Sequence, residues 1–184
     1  MAGEPRDRLI AALREHALIV GDVVLTSGAH ASYYVDAKRA ILLPEGFAAL
    51  GELVAAQAAT WGATAVGGMT MGADPIACSA LAGGFAGKAF FVRKEVKAHG
   101  LARRIEGPLL EPGERCAVVE DVVSTGGSAL AAIGALAEAG HVVCGVIGVL
   151  DRLMGGGEAI AAAAGAPFVA LTTIDDIYPQ RPPA

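Results

Sequence analysis

The sequence predicts an α/β domain, a central and mostly parallel sheet flanked by helices. Two observations carry this. From residue 64 onward, near-continuous apolar runs alternate with small-residue loops and helical patterns, as expected of strands buried on both faces and joined by helical crossovers. The chain of 184 residues is long enough for one compact core and short for two.

The elements follow in order. Leu9, Ile10, Leu13 and Ala17 recur at helical spacing, and Phe47, Leu50, Leu53 and Val54 do so after Pro44, a residue suited to a first helical turn. Between these two amphipathic helices, residues 26–32 read as a turn and Tyr33-Tyr34-Val35 as a short strand. Apolar runs at 65–69, 89–92, 116–119, 142–150 and 168–171 predict the sheet, with helices at 74–86 and 128–139. No repeat or linker interrupts the chain, and only alanine enrichment and Gly155-Gly156-Gly157 approach low complexity. Residues 93–107 break the rhythm: they are polar, basic and without apolar period, and long irregular insertions are usually functional or mobile.

Composition removes several function classes. The hydrophobic fraction of 54% owes much to alanine, and apolar stretches are cut by Gly, Pro or charge, as at Gly165 and Pro167, so no membrane span is predicted. Glu4, Arg6, Asp7 and Arg8 stand where a signal peptide would need an apolar core, which points to the cytoplasm. Cys78, Cys116 and Cys144 are odd in number and widely spaced, and read as buried free thiols. A net charge of -5 argues against a nucleic-acid partner. Yet five of the fourteen Lys and Arg residues (Arg93, Lys94, Lys97, Arg103 and Arg104) fall in one short segment.

The most informative stretch runs from Cys116 through Glu120, Asp121, Val122, Val123, Ser124, Thr125, Gly126 and Gly127 to Ser128: an apolar strand, two acids, then a small-residue turn into a helix. Ligands of α/β sheets bind beyond the carboxyl ends of strands. A glycine-bearing turn at a helix N-terminus presents backbone N–H groups and partial positive charge to a phosphate, and Thr125 and Ser128 add hydroxyls. Two adjacent carboxylates would repel that phosphate, so they make sense gripping ribose hydroxyls or a magnesium-bound sugar. Each part alone is also an ordinary turn or surface acid pair; their order is what is specific. Residues 67–72 have Walker-like glycine spacing but lack the Lys-Ser/Thr that would follow, which excludes an ATP P-loop.

Residues 118–128 resemble the phosphoribosyl pyrophosphate (PRPP) motif of type I phosphoribosyltransferases, with Glu120 where many members carry aspartate. Arg93-Lys94-Glu95-Val96-Lys97-Ala98-His99-Gly100 resembles the mobile catalytic loop of the orotate phosphoribosyltransferases. Gly68-Met69-Thr70-Met71-Gly72-Ala73-Asp74-Pro75-Ile76-Ala77 resembles their pyrophosphate loop, Thr26-Ser27-Gly28 with Ser32-Tyr33-Tyr34-Val35-Asp36 their base-binding segment, and Leu150-Asp151-Arg152 their late arginine.

The resemblance implies one phosphoribosyltransferase domain over residues 1–184, with a base-binding hood at 1–40 and a mobile catalytic loop at 93–107. It implies transfer of ribose 5-phosphate from PRPP to orotate, with Mg²⁺ held mainly by substrate near Glu120 and Asp121. Residues 120–128 would hold PRPP together with Thr70, Met71 and Gly72, while Ser124, Arg152, Tyr33, Tyr34 and Thr26 would hold orotate. Lys97 would supply the decisive charge, assisted by Arg93, Lys94, His99 and Asp121. It also implies a homodimer sharing the loop across subunits. Some members carry lysines where this chain has Thr26 and Gly72; Lys38 or Arg39 is expected to supply charge near the first, and backbone amides at the second. The alternatives are a phosphoribosyltransferase for another base, which the Lys-x-His loop disfavours, and a non-catalytic PRPP-binding regulator, which would have little use for that loop.

Overall fold

The computed structural model describes residues 3–24, 28, 30–95 and 104–182. Helix α1 (Pro5–Ala12) runs into a π-helical turn (Leu13–Ala17), then an antiparallel hairpin of β1 (Leu18–Val24) and β2 (His30–Val35), and the short α2 (Lys38–Ile41). The remainder alternates: α3 (Pro44–Thr60), β3 (Ala65–Met69), α4 (Ala73–Ala82), β4 (Lys88–Val92), β5 (Ile105–Glu106), β6 (Arg115–Val123), α5 (Gly127–Glu138), β7 (Val142–Asp151), α6 (Gly156–Ala164), β8 (Phe168–Thr173) and α7 (Ile174–Ile177).

One six-stranded sheet takes the order β5-β4-β3-β6-β7-β8, parallel throughout except for β5. Its strands read as unbroken apolar runs because both faces are covered. Val66, Ala117, Val119, Ile147 and Val149 join Leu9, Leu50, Val54 and Ile76 on the face carrying α1, α3 and α4. Ala65, Met69, Cys116, Val118 and Val146 join Ala132, Leu136 and Ile160 on the face carrying α5 and α6. Complete burial of each large aliphatic side chain contributes about 1.5–3 kcal/mol, so this two-sided layering is the main stabilising force. From β3 the chain winds toward β4, and from β6 it winds the other way toward β7. The reversal lies between β3 and β6.

The parallel α/β architecture matches expectation; several details differ. β1 was not anticipated, because Gly21 and Asp22 interrupt its apolar alternation at an irregularity between Val20 and Val23. Within the basic segment 93–107, Ile105 and Glu106 are not irregular but pair with Val92 and Phe91. Gly155-Gly156-Gly157 opens α6 despite poor helix propensity, since Gly156 packs where a Cβ would lie 2.4 Å from the Ser124 carbonyl. α4 stops at Ala82, before Gly83-Gly84, rather than reaching residue 86. Cys78 is exposed, contrary to the expectation of a buried thiol, whereas Cys116 and Cys144 are buried; burial pushes the Cys116 thiol up to about 12. Among the described residues no helix is long and apolar enough to cross a membrane.

At the sheet edge opposite the strand carboxyl ends, Lys88 Nζ lies 2.7 Å from Glu114 Oε2, and the Glu111 N–H donates to the same oxygen at 2.9 Å. The Lys88 hydrogen bond, with that N–H, holds the Glu114 carboxyl down at about 2. A depressed carboxyl stabilises the fold above its unfolded value and loses that contribution as pH falls through the folded one. Lys88→Met should therefore be less stable than the parent at pH 7. The gap should narrow from about pH 4.5 downward and nearly close by about pH 2, as read by urea unfolding across that range.

Candidate active site

Because β3 and β6 are parallel neighbours, paired Ala65 to Cys116 and Gly67 to Val118, the loops that follow them leave the same edge of the sheet side by side. This is the winding reversal, where open α/β sheets form their ligand crevice. The β6 loop enters α5 through Gly126, whose φ of +83° is left-handed, and a Cβ there would lie 2.9 Å from Ile160 Cγ1. Only glycine meets both demands without strain. No side chain caps α5, so its first-turn amides face outward without an intrahelical acceptor. Glu120, Val122, Ser124, Thr125, Gly126, Gly127 and Ser128 line a cavity of about 240 Å³ at this helix end. An uncapped helix N-terminus opening on such a cavity suits a phosphate dianion.

The two acids occupy different environments because neighbours on a strand point to opposite faces. Glu120 is buried at 6% exposure, and its Oε2 has no hydrogen-bond partner. Burial, and then the neighbouring Asp121 carboxylate, push the Glu120 carboxyl up to about 8. Asp121 accepts the Val122 N–H at 2.8 Å through Oδ1 and the Lys38 ammonium at 3.3 Å through Oδ2. Lys38 also lies 2.8 Å from Asp36 Oδ1. Its partial burial works against the charged form, but the bonds and charges of Asp36 and Asp121 outweigh this and hold the ammonium above its ordinary range.

Across the crevice, the β3 loop runs through a cis peptide at Thr70–Met71 into α4, also without a side-chain cap. Thr70 keeps both donors inside the protein, its N–H on Val92 O at 2.9 Å and its hydroxyl on Asp74 Oδ2 at 2.7 Å. Thr70 therefore shapes this loop. Gly72 packs so closely that a Cβ would lie 2.7 Å from Asp121 Oδ1. A side chain at this position would need the Asp121 carboxylate to give way.

The base-binding candidates divide. Arg152 lies over the Tyr33 ring, 5.4 Å from its centre, and Tyr33 meets Tyr178 edge-on at 5.6 Å. Tyr33, Ser32 and Arg152 share a cavity of about 650 Å³. Tyr34 points to the other face of β2 and is exposed. The Arg152 N–H donates to Val123 O at 2.9 Å, tying this cavity to the cradle strand. A third cavity, of about 400 Å³ and lined by Arg104, Leu109, Glu138 and His141, lies at the opposite end of α5 from the cradle.

No family model matches the chain. An orotate phosphoribosyltransferase of Corynebacterium glutamicum is 45% identical over 175 residues, covering 95% of this chain and 94% of its own. The chain belongs to the orotate phosphoribosyltransferase family. Among solved structures, the Mycobacterium tuberculosis orotate phosphoribosyltransferase in complex with Fe(III) dicitrate aligns at a TM-score of 0.85 and 41% identity, over 94% of this chain and 98% of that one. A structure of the same enzyme in complex with PRPP aligns at 0.81 and 37% identity, with the same coverage.

Of the residues singled out in the sequence of this orotate phosphoribosyltransferase relative, the structure brings Glu120, Val122 and residues 124–128 together around the cradle, and places Asp121 on the other face of β6 against Gly72. Val123 is fully buried in the core, so its side chain takes no part. Arg93 and exposed Lys94 rise from the end of β4 at the same sheet edge; the Arg93 N–H donates to Arg104 O at 2.8 Å, and its buried Nε has no partner. Thr26, Lys97 and His99 lie outside the described residues. Arg39 is exposed, and Lys38 reaches Asp121 instead of serving only the N-terminal segment. Two contacts of residues already named escaped the sequence reading. Asp74 carried a faint signal, an acid four positions after Thr70; the Lys38 contact, 83 positions away, carried none.

Gly126→Ala places a side chain in left-handed backbone at about 1–2 kcal/mol, before the Ile160 clash is added. It should raise the KM for PRPP by about tenfold or more while the KM for orotate changes little, as measured by steady-state kinetics.

Proposed function

We propose that this chain transfers ribose 5-phosphate from PRPP to orotate, giving orotidine 5′-phosphate and pyrophosphate in pyrimidine biosynthesis. The observation that carries this reading is the uncapped N-terminus of α5 following an acid pair at the winding reversal, beside the cavity where Arg152 lies over Tyr33. The first-turn amides of α5, with Ser124, Thr125 and Ser128, take the 5′-phosphate. Glu120 and Asp121 take the ribose hydroxyls, and the Met71 and Gly72 amides face the pyrophosphate. Arg152 and Ser124 pair with the orotate carboxylate and ring oxygens, while Tyr33 supports the ring plane.

The bond between the anomeric carbon and pyrophosphate breaks with its electron pair leaving on oxygen, and the ring nitrogen of orotate bonds to the carbon while its N–H proton passes to solvent or to the leaving pyrophosphate. Charge develops on the leaving group, so positioning and electrostatics carry the reaction and no protein base is required. Arg93, Lys94, Lys97 and His99 supply the positive charge, Lys97 foremost, by closing over the pyrophosphate and excluding water. The donor set fits Mg²⁺ held mainly through substrate oxygens: Glu120 and Asp121 offer hard carboxylate oxygens, one of them buried and unpartnered, and among the described residues no larger ligand cluster converges. Such an ion would supply charge neutralisation for the leaving pyrophosphate. The same reading makes the chain a cytoplasmic homodimer whose loop reaches the partner subunit.

Purified protein given orotate, PRPP and Mg²⁺ should consume orotate absorbance; turnover of a purine base in place of orotate would refute the reading. Lys97→Ala should lower kcat by about a hundredfold or more with a smaller change in PRPP affinity, because its charge acts chiefly in the transition state. An unchanged kcat removes Lys97 from the mechanism.

A further inference from the structure

Lys38 occupies a joint among three parts of the site. It begins α2 in the hood, its ammonium lies 2.8 Å from Asp36 Oδ1 at the end of the hairpin, and it reaches 3.3 Å to Asp121 Oδ2 at the end of β6. Asp121 also accepts the Val122 N–H, and its carboxylate lies close against Gly72 of the β3 loop. Among the described residues, Lys38 is the only cation paired with Asp121.

The charge balance explains why a cation belongs there. Glu120, Asp121, Asp36 and Asp74 all lie around this crevice, and PRPP is a polyanion. An uncompensated Asp121 carboxylate against the β3 loop would repel the pyrophosphate that the loop amides are placed to receive. An ammonium carries three N–H donors. The two carboxylates engage two of them, and the Lys38 side chain remains 37% exposed, so among the described residues the third has no protein partner and can meet substrate.

We propose that Lys38 is the positioning residue for PRPP: it cancels the Asp121 charge beside the pyrophosphate loop, fixes that carboxylate for the ribose, and turns its remaining N–H to the incoming substrate. The proposal rests on the phosphoribosyl-transfer reading and adds to it a role for the hood. Lys38 binds the hood to the PRPP half of the site, so the base pocket and the sugar pocket share one charged hinge point.

The test compares the parent with Lys38→Met and Lys38→Arg, using PRPP binding by calorimetry, steady-state kinetics and thermal melting. Lys38→Met should weaken PRPP binding and raise its KM by about tenfold or more, as expected when a charged hydrogen bond is lost, with the KM for orotate changing less than about threefold. Lys38→Arg should restore PRPP affinity to within a few fold, since it keeps charge and donors. Unchanged PRPP affinity in Lys38→Met overturns the proposal, and so does Lys38→Arg behaving no better than Met. Equal losses for both substrates alongside a lowered melting temperature also overturn it, because that pattern marks a detached hood. Calorimetry does not need turnover: a parent protein that binds PRPP yet leaves orotate unused sinks the choice of base, while the Lys38 comparison still reads the proposal.

Discussion

The parallel pairing of β3 with β6 is the constraint on which the rest of the site depends. It brings two helix N-termini, those of α4 and α5, to one edge of the sheet, where opposite winding leaves a gap between them. The pairing is held by side chains on both faces, such as Val66 and Ala117 toward α3 and α4, and Ala65 and Val118 toward α5. A slip of one residue would turn each of these to the wrong face. It would also exchange the surroundings of Glu120 and Asp121, putting the carboxylate now held by Lys38 into the core.

Electrostatic roles follow from that placement. The cradle offers backbone dipoles instead of side-chain cations, so its attraction for phosphate is fixed by the fold and needs no rotamer change. The acids beside it are separated by burial: one carboxyl is pushed toward neutrality, and the other is balanced by an ammonium. Cationic side chains stand instead at the end of β4, where Arg93 and Lys94 leave the sheet.

Much of this was legible in the sequence, for identifiable reasons. Strands buried on both faces announce themselves as unbroken apolar runs, and the cradle announces itself because strand, acids, glycines and helix are consecutive. The hairpin strand β1 was not legible: it is largely exposed and bulged, so its stability comes from pairing with β2 rather than from a pattern of its own. α6 was hidden behind glycines chosen for close packing. Contacts that join distant segments, such as Lys38 with Asp121 or Tyr33 with Arg152, leave no local trace, because they follow from the sheet order. The choice between Tyr33 and Tyr34 likewise turned on strand phase, which two adjacent identical residues do not reveal.

Among the described residues, the buried side-chain atoms without a hydrogen-bond partner, on Asp74, Arg93, Glu120 and Arg152, all belong to this crevice or its rim. Glu120 is the one buried residue among them, and the solvation lost by its unpartnered oxygen is not replaced by the fold. An apolar side chain at this position would remove that cost together with the carboxylate. Stability and activity are therefore set against each other at Glu120. A campaign of thermostabilisation that screens only for folded protein would be drawn to it, and would erode the catalyst while improving the scaffold.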